Sequence, residues 1–267
     1  EQKKVSDYKF PTEIVDLPSK GLVYPKENPL SSGKVEMKYM TAKEEDILTT
    51  QSYIKDGSVL DRLFQSLIIS NGEGTPIKYV DVTLGDKNAI MIAARILGYG
   101  KDYEVEIEDP TTPGVKQKEV IDLTQFDGFE YDGEGQVELH KNEFEFELPQ
   151  SKRKITFMAL TESRERKIKH QLEAQKKASK KMGDKTDRQL TIRLKNTITS
   201  VDGSFDQSVI DNFVNNELFA ADSRALRAHI SSVIPDVDLT YEFISEETGE
   251  RRDMLLPMDI GFFWPQS

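Results

Sequence analysis

Two proline-punctuated apolar segments, Leu17-Pro18-Ser19-Lys20-Gly21-Leu22-Val23-Tyr24-Pro25 near one end and Gly261-Phe262-Phe263-Trp264-Pro265 near the other, constrain this chain most. Proline fixes φ and has no N–H to give to a ladder, while glycine admits positive φ. Leu22, Val23 and Tyr24 are therefore expected on an extended or turned segment, not in a helix. Chain ends fray unless something docks them, and Phe262, Phe263 and Trp264 left in water would form an adhesive patch. Both segments are expected to be covered, either by the chain's own core or by neighbouring proteins.

The chain has 267 residues, enough for one large domain or two ordinary ones. Charged residues make up 31% against 37% hydrophobic, so much of the surface must be solvated or covered by partners. No window approaches the roughly 18 to 20 apolar residues of a membrane span, and the opening Glu1-Gln2-Lys3-Lys4-Val5-Ser6 carries no apolar leader, which reads as soluble and cytoplasmic. The absence of cysteine excludes disulfides, thiol nucleophiles and thiolate metal sites. The net charge of −11 is unevenly spread: Lys152 to Thr199 carries 15 Lys/Arg and 5 Asp/Glu, a balance of +10, which leaves −21 elsewhere. Acidic bulk repels phosphate, whereas such a dipolar distribution suits steering onto a protein partner.

Residues 1–34, with Pro11, Pro18, Pro25 and Pro29, read as an extended arm. Val35, Met37 and Tyr39 alternate as a strand, and Thr41 with Glu44 three residues on has capping-box spacing for a helix carrying Ile47 and Leu48. A second helix follows Ser58, with Leu60, Leu63, Phe64, Leu67 and Ile68 on one stripe, and a third runs from about Gly85 to Leu97. Tyr103, Val105 and Ile107, then Val120, Leu123 and Phe126, flank the Asp109–Gly114 turn as a hairpin. Gln136–Leu139 and Glu143–Leu148 continue this β region, with Glu143, Glu145 and Glu147 on a solvated face, and Ile155, Phe157 and Ala159 form one more strand. From Arg164 to Met182 runs a basic helix with a narrow apolar stripe; Asp187 caps a helix carrying Leu190, Leu194 and Ile198. Two short helices near Val209–Asn215 and Asp222–Ser232 precede a last hairpin that turns at Glu247-Thr248-Gly249. The order of helices then a hairpin occurs twice, without a fixed repeat period.

No constellation for catalysis or metal binding emerges. His140, His170 and His229 stand apart, Gly72-Glu73-Gly74 lacks the Lys-Ser/Thr of a phosphate loop, and Gly98-Tyr99-Gly100 follows a helix instead of a strand. Lys176, Lys177, Lys180 and Lys181 concentrate charge on one helix, but no aromatic is interleaved to stack on bases. Docking on an acidic protein surface is the expected use of that helix, with a purely solvated face as the alternative.

The segments Leu17–Pro25, Met40–Leu48 and Gly57–Leu67, then Asp81, Arg95, Tyr99-Gly100, Asp222–Arg227, Pro235 and Phe262-Phe263-Trp264-Pro265, resemble, in order and spacing, the baseplate hub subunit family of T-even-like contractile-tail bacteriophages. The resemblance covers most of the length. Many members of that family carry paired Cys-x-x-Cys knuckles in one or both hairpins. Tyr103–Asp122 and Tyr241–Met258 hold no cysteine, so the resemblance implies hairpins kept by packing instead of zinc, with no cofactor.

The expected fold is α+β: helical modules each followed by a small antiparallel hairpin, behind an extended N-terminal arm. The expected divisions are an arm at 1–34, an α+β domain at 35–150 with a β-subdomain at 102–148, and a mainly helical domain at 151–267 with a terminal hairpin and aromatic tail. The resemblance implies a non-enzymatic structural component of a contractile-tail baseplate, hub or hub-proximal, assembled in the host cytoplasm and retained in the virion. Its partners would be other hub, wedge or tail-tube proteins, with no nucleic acid, membrane or small-molecule substrate. The alternative is an assembly chaperone absent from the mature particle. The interface candidates are Leu22, Tyr24, Phe262, Phe263, Trp264, Lys176, Lys177, Lys180 and Lys181.

Overall fold

The computed structural model describes residues 11–126, 131–182, 187–258 and 260–263. Ten strands form four small antiparallel sheets among eight described α-helices, an α+β architecture. In chain order the elements are β1 (Thr12–Asp16), β2 (Lys34–Lys38), α1 (Ala42–Thr49), α2 (Gln51–Lys55), α3 (Val59–Leu67), β3 (Ile68–Ser70), α4 (Leu84–Tyr99), β4 (Asp102–Glu108) and β5 (Lys116–Asp122). They continue with β6 (Phe144–Glu147), β7 (Lys154–Phe157), α5 (Glu162–Met182), α6 (Gln189–Thr197), β8 (Ile198–Val201), α7 (Gln207–Asn212), α8 (Ala220–Val233), β9 (Thr240–Ile244) and β10 (Arg251–Leu255).

The region expected as an extended arm is folded. Residues 12–16 pair antiparallel with β2, Glu13 opposite Met37 and Val15 opposite Val35, and a 3-10 turn at Pro29–Ser32 leads back into the sheet. The physical reason is closure of the intervening loop on itself: Leu17 N–H donates to Gly33 O at 2.8 Å, so the two strands leave the loop side by side. The stretch 136–139 is not a strand; only an isolated bridge from Gln136 to Phe144 remains of it. Glu143 is buried and ion-paired with Lys141 at 2.5 Å, unlike exposed Glu145 and Glu147, so the three do not share a solvated face. Val120 is 65% exposed, because β5 presents Ile121 and Gln117 to the interior.

One pairing scheme occurs twice. β1-β2-β3 and β6-β7-β8 are both three-stranded with the second strand central, and in each the third strand follows a helix with no intervening turn. Glu36 faces Ser70 and Met37 faces Ile68, with a register shift between the two pairs; Thr156 faces Ser200 and Phe157 faces Ile198, again with a shift. Behind each sheet a long helix, α4 or α8, runs into a two-stranded hairpin, β4-β5 or β9-β10.

Buried residues from both parts form one hydrophobic cluster, from Leu17 through Phe64, Phe144 and Phe157 to Phe263. β6 and β7 pair with each other, Phe144 opposite Phe157, so a boundary at 150/151 falls inside a hairpin.

Candidate protein-protein interface

The first proline-punctuated segment is a chain of overlapping turns, with Lys20, Leu22 and Tyr24 N–H groups donating to Leu17, Ser19 and Gly21 carbonyls in succession. Gly21 has φ +78°, and a Cβ there would lie 2.3 Å from Ser31 O, so no side chain fits. The turns deliver three donors to one carboxylate at the start of α4: Asp86 accepts from Ser19 N at 2.9 Å, Ser19 Oγ at 2.7 Å and Tyr24 OH at 2.5 Å. Tyr24 OH in turn accepts from Thr83 N at 3.0 Å. Burial pushes the Asp86 carboxyl up, and the donors from Tyr24 and Ser19 oppose that rise; burial and the Asp86 charge together push the Tyr24 phenol well up. Asp86 is the third residue of its helix, where free N–H groups favour an anion.

The second part of the chain uses the same device. Asp222, third residue of α8, accepts Gln150 N at 2.8 Å and Ser151 N at 3.0 Å from the turn after Leu148-Pro149. Burial favours the protonated form of Asp222, but these donors outweigh it and hold the carboxyl below its usual range. Each turn also holds a lysine in the left-handed region, Lys20 at φ +48° and Lys152 at φ +59°.

Tyr24 therefore points into the molecule, and Leu22 is half-buried, its carbonyl accepting His140 N at 2.7 Å and Gln136 Nε2 at 3.1 Å. Phe262 and Phe263 are fully buried. Phe263 stands edge-on to Phe64 with centroids 6.0 Å apart, and Phe262 edge-on to Tyr103 at 5.0 Å. Trp264 lies outside the described residues. Of the two coverings open to these segments, the chain's own core takes Tyr24, Phe262 and Phe263.

The basic helix behaves differently. The first two turns of α5 are rooted: Ile168 is fully buried, Glu162 meets Lys87 at 2.8 Å, Arg166 meets Asp61 at 3.0 Å, and Glu165 takes Arg193 at 2.9 and 3.0 Å. Burial pushes Asp61 up, and the Glu162 charge adds to it. Further along, Asn196 Nδ2 reaches Gln171 at 2.7 Å, but beyond Leu172 only Gln175 and Ser179 are even half-covered in the stretch to residue 179. At about 1.5 Å per residue the 21-residue helix is roughly 31 Å long. Most of that length is presented to solvent. Lys176 and Lys177 are exposed; the side chains of Lys180 and Lys181 lie outside the described set.

The two hairpins clasp one another through their turns. Asp109 Oδ2 accepts Ser245 Oγ at 2.5 Å, Thr111 Oγ1 lies 3.1 Å from Thr248 Oγ1, and Gln117 donates to Ile244 O at 2.9 Å while accepting Glu246 N at 3.0 Å. Hydrogen bonds as well as packing thus join hairpins expected to be kept by packing. Among the described residues, no three His, Asp or Glu side chains converge in an arrangement that could hold a metal ion.

No family model, no curated protein and no solved structure matches the chain.

Sequence reasoning missed Asp86 and Ser245, and read Asp222 only as part of the resemblance and a helix start and Asp109 only as part of a turn. The signal for Asp86 and Asp222 was available: an acidic residue in the third position of α4 and of α8, with Leu-Pro upstream in both parts. The clasp left no such signal, because its donors lie more than a hundred residues from their acceptor.

Proposed function

We propose that the chain is a non-enzymatic structural component of a bacteriophage contractile-tail baseplate, hub or hub-proximal, working through contacts with other tail proteins. In this reading its two helical modules, each with a hairpin behind it, form a rigid body. The observation that carries the reading is the division of labour among the residues of the resemblance. Ser19, Tyr24, Asp222, Phe262 and Phe263, all within the stretches of the resemblance, are consumed in holding the fold. What the chain offers to others is α5, a largely uncovered basic helix on an otherwise acidic body. Such a surface suits an acidic protein neighbour, since exposed charge sets encounter rate and register more than affinity.

The test is quantitative mass spectrometry of purified tail particles from the phage that encodes the chain. A structural subunit appears at a fixed ratio to other baseplate proteins. Presence in assembly intermediates but not in finished particles would point to an assembly chaperone, and absence from both would overturn the reading.

A further inference from the structure

Because the sheet pairings match, positions in the two parts of the molecule can be compared. Counting back from Ile68 and Ile198 equates Phe64 with Leu194; counting on from Met37 and Phe157 equates Met40 with Leu160; counting on from Asp86 and Asp222 equates Gly98 with Ile234. In the first part these positions are closed. Phe64 is fully buried against Tyr79 and Phe263, and Gly98 brings α4 so close to Met40 that a Cβ on it would sit 2.9 Å from the methionine Cε. In the second part α6 and α8 leave a cavity of about 280 Å³ between them, walled by Leu160, Leu194, Ile230 and Ile234. Leu190, 45% exposed, lies on its lip.

The charged lining is two arginines and one carboxylate. Arg193 and Arg227 both border the cavity. Arg193 is already held by Glu165, whereas the guanidinium of Arg227 donates to Ser223 O at 3.3 Å and makes no ion pair among the described residues. Asp236, also on the wall, accepts Asn88 Nδ2 at 2.8 Å and Val237 N at 2.7 Å on Oδ1 and forms no ion pair with Arg227. The cavity opens within or beside the segment Lys152 to Thr199, whose balance is +10.

We propose that this cavity is the anchor pocket for an acidic protein partner, receiving one leucine-, methionine- or phenylalanine-sized side chain from a segment that carries a carboxylate beside it for Arg227. The inference rests on the proposed role as a tail structural subunit and names where its acidic neighbour docks. The charge complement decides the occupant: apolar walls select an apolar anchor, and an unpaired arginine at the rim selects an adjacent Asp or Glu. Binding energy concentrates in a few side chains seated in well-packed, desolvated pockets, arginine among them, while surrounding contacts mainly exclude water.

The experiment uses the full chain in phage particles. Leu190→Asp and, separately, Arg227→Glu are compared with wild type for incorporation into purified baseplates, and each soluble variant is melted to check its fold. Both positions are exposed, so Arg227→Glu stands as the second probe if Leu190→Asp fails to fold. Incorporation is expected to fall about tenfold or more with the melting temperature unchanged. A benzoyl-phenylalanine placed at position 190 should cross-link to a neighbour's segment with a carboxylate next to a large apolar residue. Wild-type incorporation of folded variants, or cross-links confined to the chain itself or to a segment without a carboxylate, overturns the pocket while leaving the subunit reading intact. Absence of the wild-type chain from the particle overturns both.

Discussion

Two buried carboxylates, Asp86 and Glu44, show how single residues fix this fold. Asp86 is the hub of the first proline-punctuated segment: without it, Ser19 N and Ser19 Oγ become buried donors with no acceptor, and Tyr24 OH keeps only the longer contact to Thr83 Oγ1 at 3.2 Å. Each unmet buried donor costs about 1–3 kcal/mol, and water admitted to the gap offsets part of the sum. Asp86→Ala should therefore lower unfolding free energy by about 3 kcal/mol or more in a urea titration, and Tyr24→Phe by about 1–2 kcal/mol. Equal effects of the two would mean that the network is not centred on Asp86. Glu44 makes a prediction about pH. Burial works against its charge, but Lys38 Nζ at 2.7 Å, Ser66 Oγ at 2.6 Å and both donors of Thr41 lower its carboxyl from 4.5 to about 2. A depressed folded value means stability that is complete above pH 4.5 and drains as the pH falls towards 2. Stability measured from pH 7 to 2.5 should fall more steeply in wild type than in Glu44→Gln; parallel curves would remove Glu44 as the cause.

At the scale of elements, legibility followed periodicity. α3 was readable because Leu63, Phe64 and Leu67 recur on one face, and β4 and β9 because Tyr103 and Ile107, or Tyr241 and Phe243, alternate with exposed residues. β3 and β8 were not, being three and four residues long and joined to the preceding helix without a turn residue to announce them. They are strands because β2 and β7 offer them a ladder, which is a tertiary cause. The basic character of α5 was equally plain in sequence, yet how much of it would stand clear of the core depended on contacts that local pattern does not carry. Exposed like-charged lysines add little to stability, so Lys176→Glu with Lys177→Glu should change unfolding free energy by no more than about 0.5 kcal/mol. Incorporation into baseplates should nevertheless fall, and full incorporation of the double variant would leave α5 a merely solvated helix. The hairpin clasp belongs to this scale too. Asp109→Ala removes the acceptor of Ser245 and Thr111, and hydrogen exchange should quicken in β4-β5 and β9-β10 while α3 and α4 keep their protection.

For the whole molecule, the repeated sheet scheme escaped sequence reading because the spacing drifts: Met37 to Phe157, Ile68 to Ile198 and Asp86 to Asp222 are successively wider intervals, so no fixed period exists. The same geometry bears on whether the two parts are separable. Phe262 and Phe263, last of the described residues, pack on Tyr103 and Phe64 of the first part. Asn88 holds Asp236, Lys87 holds Glu162, and Gly85 lies so close to Pro235 that a Cβ would be 2.0 Å from its carbonyl oxygen. Residues 35–150 alone would lack β1, both terminal phenylalanines and the β7 partner of β6, and would expose Phe64, Tyr103 and Phe144. Phe→Ala in a core costs about 3–5 kcal/mol, a large share of the roughly 5–15 kcal/mol that keeps a domain folded. Phe263→Ala in the intact chain should thus lower a single cooperative melting transition that shifts as a unit when followed by far- and near-ultraviolet circular dichroism. A fragment of residues 35–150 should show no cooperative transition at all. Two separate transitions in the full chain, with only one moved by Phe263→Ala, would show instead that the parts fold independently and that the tail is an accessory to the first.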